Sequence, residues 1–105
     1  MPLRPGVTLE KLNSRGEGRL PGLFGFRVMA VEDGLLVAEL DIRAEVLAPN
    51  GYLHAATVIA LADTACGYGC IAHLPAGAEN FTTGELKCNF LGTAREGTIA
   101  CVAKA

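Results

Sequence analysis

The stretch HAATVIALADTACGYGCIAH, His54 to His73, decides how this chain folds. It holds one acidic side chain, Asp63, and no Lys or Arg. The remainder is small or aliphatic, including Ala55, Val58, Ile59, Leu61, Ala65, Cys66 and Ile71. As a helix it would run about 30 Å. A helix that is apolar on every side belongs in an interior. Leu74-Pro75-Ala76-Gly77 ends it, because Pro cannot continue a helix. A carboxylate halfway along a buried helix is costly to keep ionised. Asp63 therefore needs a use beyond stability.

Strand-like segments flank this helix. Phe24 to Glu32 alternates, with Phe26, Val28 and Ala30 on one face. Asp33-Gly34 is a strong two-residue hairpin signal. Leu35 to Arg43 alternates again, with Leu36, Ala38, Leu40 and Ile42 inward, so the two should pair antiparallel. Ala48-Pro49-Asn50-Gly51 turns the chain into the helix. Beyond it, Phe81 to Leu91 predicts a third strand with Leu86, Cys88 and Phe90 on one face, and Gly84 marking a bulge. Thr98 to Lys104 predicts a fourth. The order is strand-strand-helix-strand-strand, an α+β arrangement of one long helix against an antiparallel sheet whose second face is partly solvated.

Residues 1–19 form a polar segment rich in Gly and Arg, and 20–105 form the domain proper. Within the first, Thr8 is placed to cap a short helix from Leu9 to about Asn13, with Leu9 and Leu12 on its apolar side. Leu20-Pro21-Gly22-Leu23 reads as a turn or a single helical turn.

The totals bound the function. The 105 residues suffice for one small domain. Half are apolar and 19% charged, which argues against disorder. A net charge of -2 gives no electrostatic case for nucleic acid. The N-terminus lacks the apolar core of a signal peptide. Asp63, the flanking His residues and several Gly argue against a membrane span for 54–73. A cytoplasmic protein is the expectation. Cys66, Cys70, Cys88 and Cys101 lie in apolar or strand-like segments and read as small buried hydrophobes. With only His54 and His73 to join them, paired zinc-ligand spacing is lacking, and no metal is expected.

Two runs, NGYLHAATVIALADTACGYG and TTGELKCNFLGTAREG, carry a resemblance. Gly51, His54, Leu61-Ala62-Asp63 and Asn89-Phe90-Leu91 fall in the order and spacing of the hotdog-fold acyl-CoA thioesterases of the phenylacetate-pathway and 4-hydroxybenzoyl-CoA type, over roughly residues 20 to 105. The resemblance implies a hotdog fold, one long central helix wrapped by an antiparallel sheet. It also implies hydrolysis of an acyl-CoA substrate to free acid and CoA, with no cofactor beyond the CoA of the substrate. The site would form in a homo-oligomer, a dimer or dimer of dimers, that joins the helix start of one chain to the carboxylate of another. The family pattern continues with more strand after Lys104.

The chemistry can be read from the residues themselves. A thiol leaving group has a pKa of about 8.5, so no strong general acid is needed. What is needed is a carboxylate to attack the carbonyl or activate water, and donors for the oxyanion. Asp63 is the carboxylate. Burial would raise its pKa, although a rise of about two units still leaves it mostly ionised at neutral pH. The Ala55 N–H, in the first turn of the helix, is placed to hold the oxyanion. His54 reads as an orienting residue at the helix start more readily than as a base. The resemblance makes Thr83 a candidate for positioning water or the carboxylate, and Asn50, at the turn, is a candidate for polarising the carbonyl. The resemblance further implies that Gly51 and Ala56 border the substrate, and it leaves Lys87 and Arg95 as the cations available to CoA phosphates.

Each has a plainer reading. Asp63 could cap a segment starting at Thr64; Thr83 suits a strand; Asn50 suits a turn; Lys87 and Arg95 suit solvent. The family's Gly-Gly after the His is Ala55-Ala56 here, which keeps the N–H but narrows the approach to backbone. The family's Arg-Pro after Phe-Leu is Gly92-Thr93. These departures keep two alternatives open: a non-catalytic acyl-CoA binding module, and a hydratase or dehydratase with His54 as base.

Overall fold

In the computed structural model, residues 2–105 are described. The hairpin forms where the alternation and the Asp33-Gly34 signal place it. Strand β1 (Arg27–Glu32) pairs antiparallel with β2 (Leu35–Asp41), and Gly34 takes the positive φ of +73° that the turn requires. Strand β3 (Thr98–Lys104) pairs antiparallel with the other side of β2, giving the order β1-β2-β3. Leu36, Ala38 and Leu40 of β2 point inward as the alternation predicts.

In β1 the alternation is broken. Val28 faces Ala38, but the next pairing sets Ala30 against Val37, so Met29 is an extra residue and bulges outward. After the bulge the inward position passes to Val31, which packs on the core, rather than to Ala30. The strand also starts later than its sequence pattern does. Leu20–Phe24 forms a short helix, α2, closed by Gly25 at φ +78°. Arg43 donates to the Leu23 and Phe24 carbonyls at its end.

The N-terminal segment packs against the sheet. Helix α1 (Leu9–Ser14) is capped by Thr8, whose hydroxyl accepts from the Lys11 N–H at 3.1 Å. Leu12 enters the core. Asn13 accepts from the Val28 N–H at 2.7 Å and donates to the Val28 carbonyl at 3.1 Å. A side-chain amide thus satisfies the backbone on the outer edge of β1, where no further strand is hydrogen-bonded.

The long apolar helix is α3 (Ala55–Ala72), bounded by His54 and His73. His73 is buried and holds the hairpin turn. Its Nε2 accepts from the Gly34 N–H at 2.8 Å, and its Nδ1 lies 2.7 Å from the Gly69 carbonyl, a geometry that puts the proton on Nδ1. Thr57 donates to the Val46 carbonyl at 2.9 Å. By length and composition alone α3 could cross a membrane. The inner face of α3 lies against β2 and β3, with Leu61 and Ala65 in the core, and Thr57, Gly67 and Ala72 are buried as well.

Burial on every side, the expectation from sequence, is not what forms. Ala55, Ala56, Cys66 and Cys70 are exposed, because only one sheet lies against the helix. The cysteines are correspondingly not buried hydrophobes: Cys66 and Cys70 are exposed, and Cys88 and Cys101 are half-buried.

The third predicted strand is also absent. Residues 78–94 have no regular secondary structure, and Phe81, Leu86, Phe90 and Leu91 are exposed. Alternation alone does not make a strand; a neighbouring backbone must complete the ladder. Beside β3 only β2 supplies one among the described residues. The segment is tied at its far end, where the Leu53 N–H donates to the Ala94 carbonyl at 2.7 Å.

Candidate active site

The candidate residues gather at two places on α3. The first is its N-terminus. His54 caps the helix, its Nδ1 accepting from the Ala56 N–H at 2.9 Å. That bond uses one ring nitrogen of His54 and the Ala56 N–H together. Ala55 is exposed, and as the first residue of the helix its N–H has no intrahelical acceptor. Asn50 accepts from the Tyr52 N–H at 3.2 Å, a local turn bond. Gly51 has φ +87°, and a Cβ there would lie 3.6 Å from a guanidinium nitrogen of Arg95. Arg95 is stacked over Tyr52, 5.0 Å from the ring centroid. Gly51, Tyr52 and Arg95 therefore stand together beside the helix start. Lys87 lies on the unpaired segment and is exposed.

The second place is Asp63. It is half-buried, not buried as its apolar sequence surroundings suggest. Thr83 donates to Asp63 Oδ1 at 2.9 Å. The carboxylate opens into a cavity of about 260 Å³ lined by Arg15, Pro21, Thr64, Gly67, Tyr68, Ile71 and Phe81 as well. The Phe81 ring lies on Gly67, where an added Cβ would meet it at 2.8 Å. Burial pushes the Tyr68 hydroxyl above its ordinary pKa, and the Arg15 charge partly offsets this. Among the described residues, no group of three or more His, Cys, Asp or Glu side chains is arranged to hold a metal ion.

The two places are far apart within one chain. Asp63 follows Ala55 by eight residues, about 12 Å of helix. Reacting groups must approach within about 3–3.5 Å. One copy's amide and its own carboxylate cannot serve the same carbonyl.

The profile of the thioesterase superfamily matches residues 50–105, the span that carries both places. The chain belongs to the thioesterase superfamily. A 1,4-dihydroxy-2-naphthoyl-CoA hydrolase of Escherichia coli K12 is 31% identical over 101 residues, covering 93% of this chain and 71% of the relative. A mutant thioesterase from Pseudomonas aeruginosa superposes with a TM-score of 0.92 at 25% identity, over 99% of this chain and 75% of that one. A Haemophilus influenzae thioesterase superposes with a TM-score of 0.91 at 23% identity, over 99% and 72%. The long helix against an antiparallel sheet is the hotdog arrangement, and this thioesterase is a thioester hydrolase.

The polar N-terminal segment concealed one contributor to the Asp63 cavity. Arg15 sits in it and has no local motif to flag it. Tyr68 and Phe81 were visible only as aromatic surface; nothing in the spacing joined them to Asp63.

Proposed function

We propose that the protein hydrolyses an acyl-CoA thioester, with Asp63 as nucleophile or general base. The observation that carries this reading is the half-buried Asp63 carboxylate, held at one oxygen by Thr83 and open to a cavity on its other side. The similarity to a CoA-ester hydrolase supports CoA as the leaving group. Water, giving one proton to the Asp63 carboxylate as it attacks, or first an oxygen of Asp63 itself, adds to the carbonyl carbon. The resulting oxyanion is held by the Ala55 N–H of another copy. Collapse breaks the C–S bond, and CoA leaves as thiolate, whose low basicity makes an acid unnecessary. If Asp63 attacks directly, water then opens the acyl-enzyme anhydride and regenerates the carboxylate. No separate cofactor enters.

His54 orients the helix start in this scheme. Thr83 positions the carboxylate. Gly51 and Ala56 border the thioester, while Arg95 and Lys87 face the CoA phosphates. Asn50 lies close enough to the turn to assist the carbonyl once substrate is bound. The working unit in this reading is a homo-oligomer, a dimer or a dimer of dimers, which is supported by the separation of about 12 Å between the helix start and its own carboxylate and by the exposed apolar residues of α3 that a second copy would cover.

The test is hydrolysis of short-chain, long-chain and aryl acyl-CoA esters by wild type and Asp63→Asn. The variant is expected to lose at least about a hundredfold in kcat. Equal rates would remove Asp63 from the reaction.

A further inference from the structure

The cavity that holds Asp63 also holds a cation. Among the described residues, Arg15 has no carboxylate within ion-pair distance, unlike Arg27 and Arg43. Tyr68, which lines the same cavity, has a buried hydroxyl with no hydrogen-bond partner. That hydroxyl lies against the residue next to Arg15: a Cβ on Gly16 would come 3.3 Å from it. An adjoining depression of about 160 Å³ shares Arg15 and Ile71 with the first and adds Arg4 and Lys11, with no acidic residue in its lining. Phe81 gives the Asp63 cavity a flat aromatic wall over Gly67.

Arg15 is the cation in the lining of the Asp63 cavity, Arg4 and Lys11 add positive charge in the depression beside it, and an anionic oxygen is what such a set attracts. We propose that Arg15 reads the far end of the acyl group and selects aromatic acyl groups that carry a carboxylate there. This inference rests on hydrolysis at Asp63. The planar fork of Arg matches a carboxylate through two parallel hydrogen bonds. The Phe81 wall takes the ring. Asp63 in the same cavity repels a second anion, so the sign of the preference depends on Arg15.

The experiment compares kcat/KM for 4-carboxybenzoyl-CoA and benzoyl-CoA in wild type, Arg15→Gln, Arg15→Lys and, as a control outside the cavity, Arg19→Gln. Wild type should favour the carboxylated ester by about tenfold or more. Arg15→Gln should drop that ratio below one, Arg15→Lys should restore part of it, and Arg19→Gln should leave it where it was. A wild-type ratio near one overturns the proposal, as does an Arg15→Gln variant that slows both esters equally. Hydrolysis of hexanoyl-CoA but of neither aryl ester overturns the proposal and leaves the Asp63 reading standing. No hydrolysis of any of the three overturns both.

Discussion

The β1–β2 hairpin and the stretch from 78 to 94 are written in similar alternating sequence, yet only the first becomes a sheet. The hairpin closes through a two-residue turn, so each strand finds its partner locally. Strand β3 then adds to the open side of β2, and Asn13 satisfies part of the outer edge of β1. Residues 78–94 pair with no strand, and Leu86, Phe90 and Leu91 among them stay exposed. The one feature that marks this stretch as more than a connector is local: Thr83 reaches Asp63, and Phe81 covers Gly67. The lesson is that side-chain pattern chooses a face, whereas pairing decides whether a strand exists.

The largest effect that would sharpen this contrast comes from truncating one leucine in each region. Leu40 of β2 is fully buried. Leu40→Ala should cost about 2–5 kcal/mol in chemical denaturation. Leu86 is 43% exposed, and Leu86→Ala should change stability by no more than about 0.5 kcal/mol. Comparable losses at the two positions would mean that 78–94 is packed in solution, and the contrast would break.

Next in size is the clamp at the hairpin turn. His73→Ala leaves the Gly34 N–H and the Gly69 carbonyl without their side-chain partner. A loss of about 1–3 kcal/mol is expected. Hydrogen exchange should show it first at Gly34, as faster exchange of that amide. An unchanged Gly34 rate would show that the turn holds itself.

The smallest effect lies at the open end of the hairpin. Arg27 holds the Asp41 carboxyl below its usual range, with the Thr98 hydroxyl adding to the effect. A depressed carboxylate pKa stabilises the folded state above the unfolded-state value, and that contribution disappears as pH falls through the folded-state value. Asp41 is exposed, so solvent screens the pair. Asp41→Asn should therefore flatten only slightly the acid side of the stability profile, at pH below about 4. A pronounced change in that profile would show that this end of the sheet depends on the ion pair.

Much of this was legible in the chain itself. Thr8 and Leu12 marked α1, Asp33-Gly34 marked the turn, and the 54–73 stretch marked α3 together with the carboxylate inside it. These are local signals, written in caps, turns and periodicity, and they survive because nothing distant opposes them. The bulge at Met29 was not legible, since it adjusts a register between two strands. Arg15 was hidden for a similar reason: it lines the same cavity as Asp63 from nearly half the chain away, and only the packing of the N-terminal segment against the rest carries it there.

The sequence by itself determined the long helix and the hairpin, because hydrophobic periodicity and turn chemistry act over a few residues. Tertiary structure alone decided which face of the helix is covered, which alternating segment finds a ladder, and which side chains share a cavity with Asp63. Those outcomes depend on surfaces that meet only after the chain has closed on itself, when burial and hydrogen-bond satisfaction are set by neighbours far away in sequence.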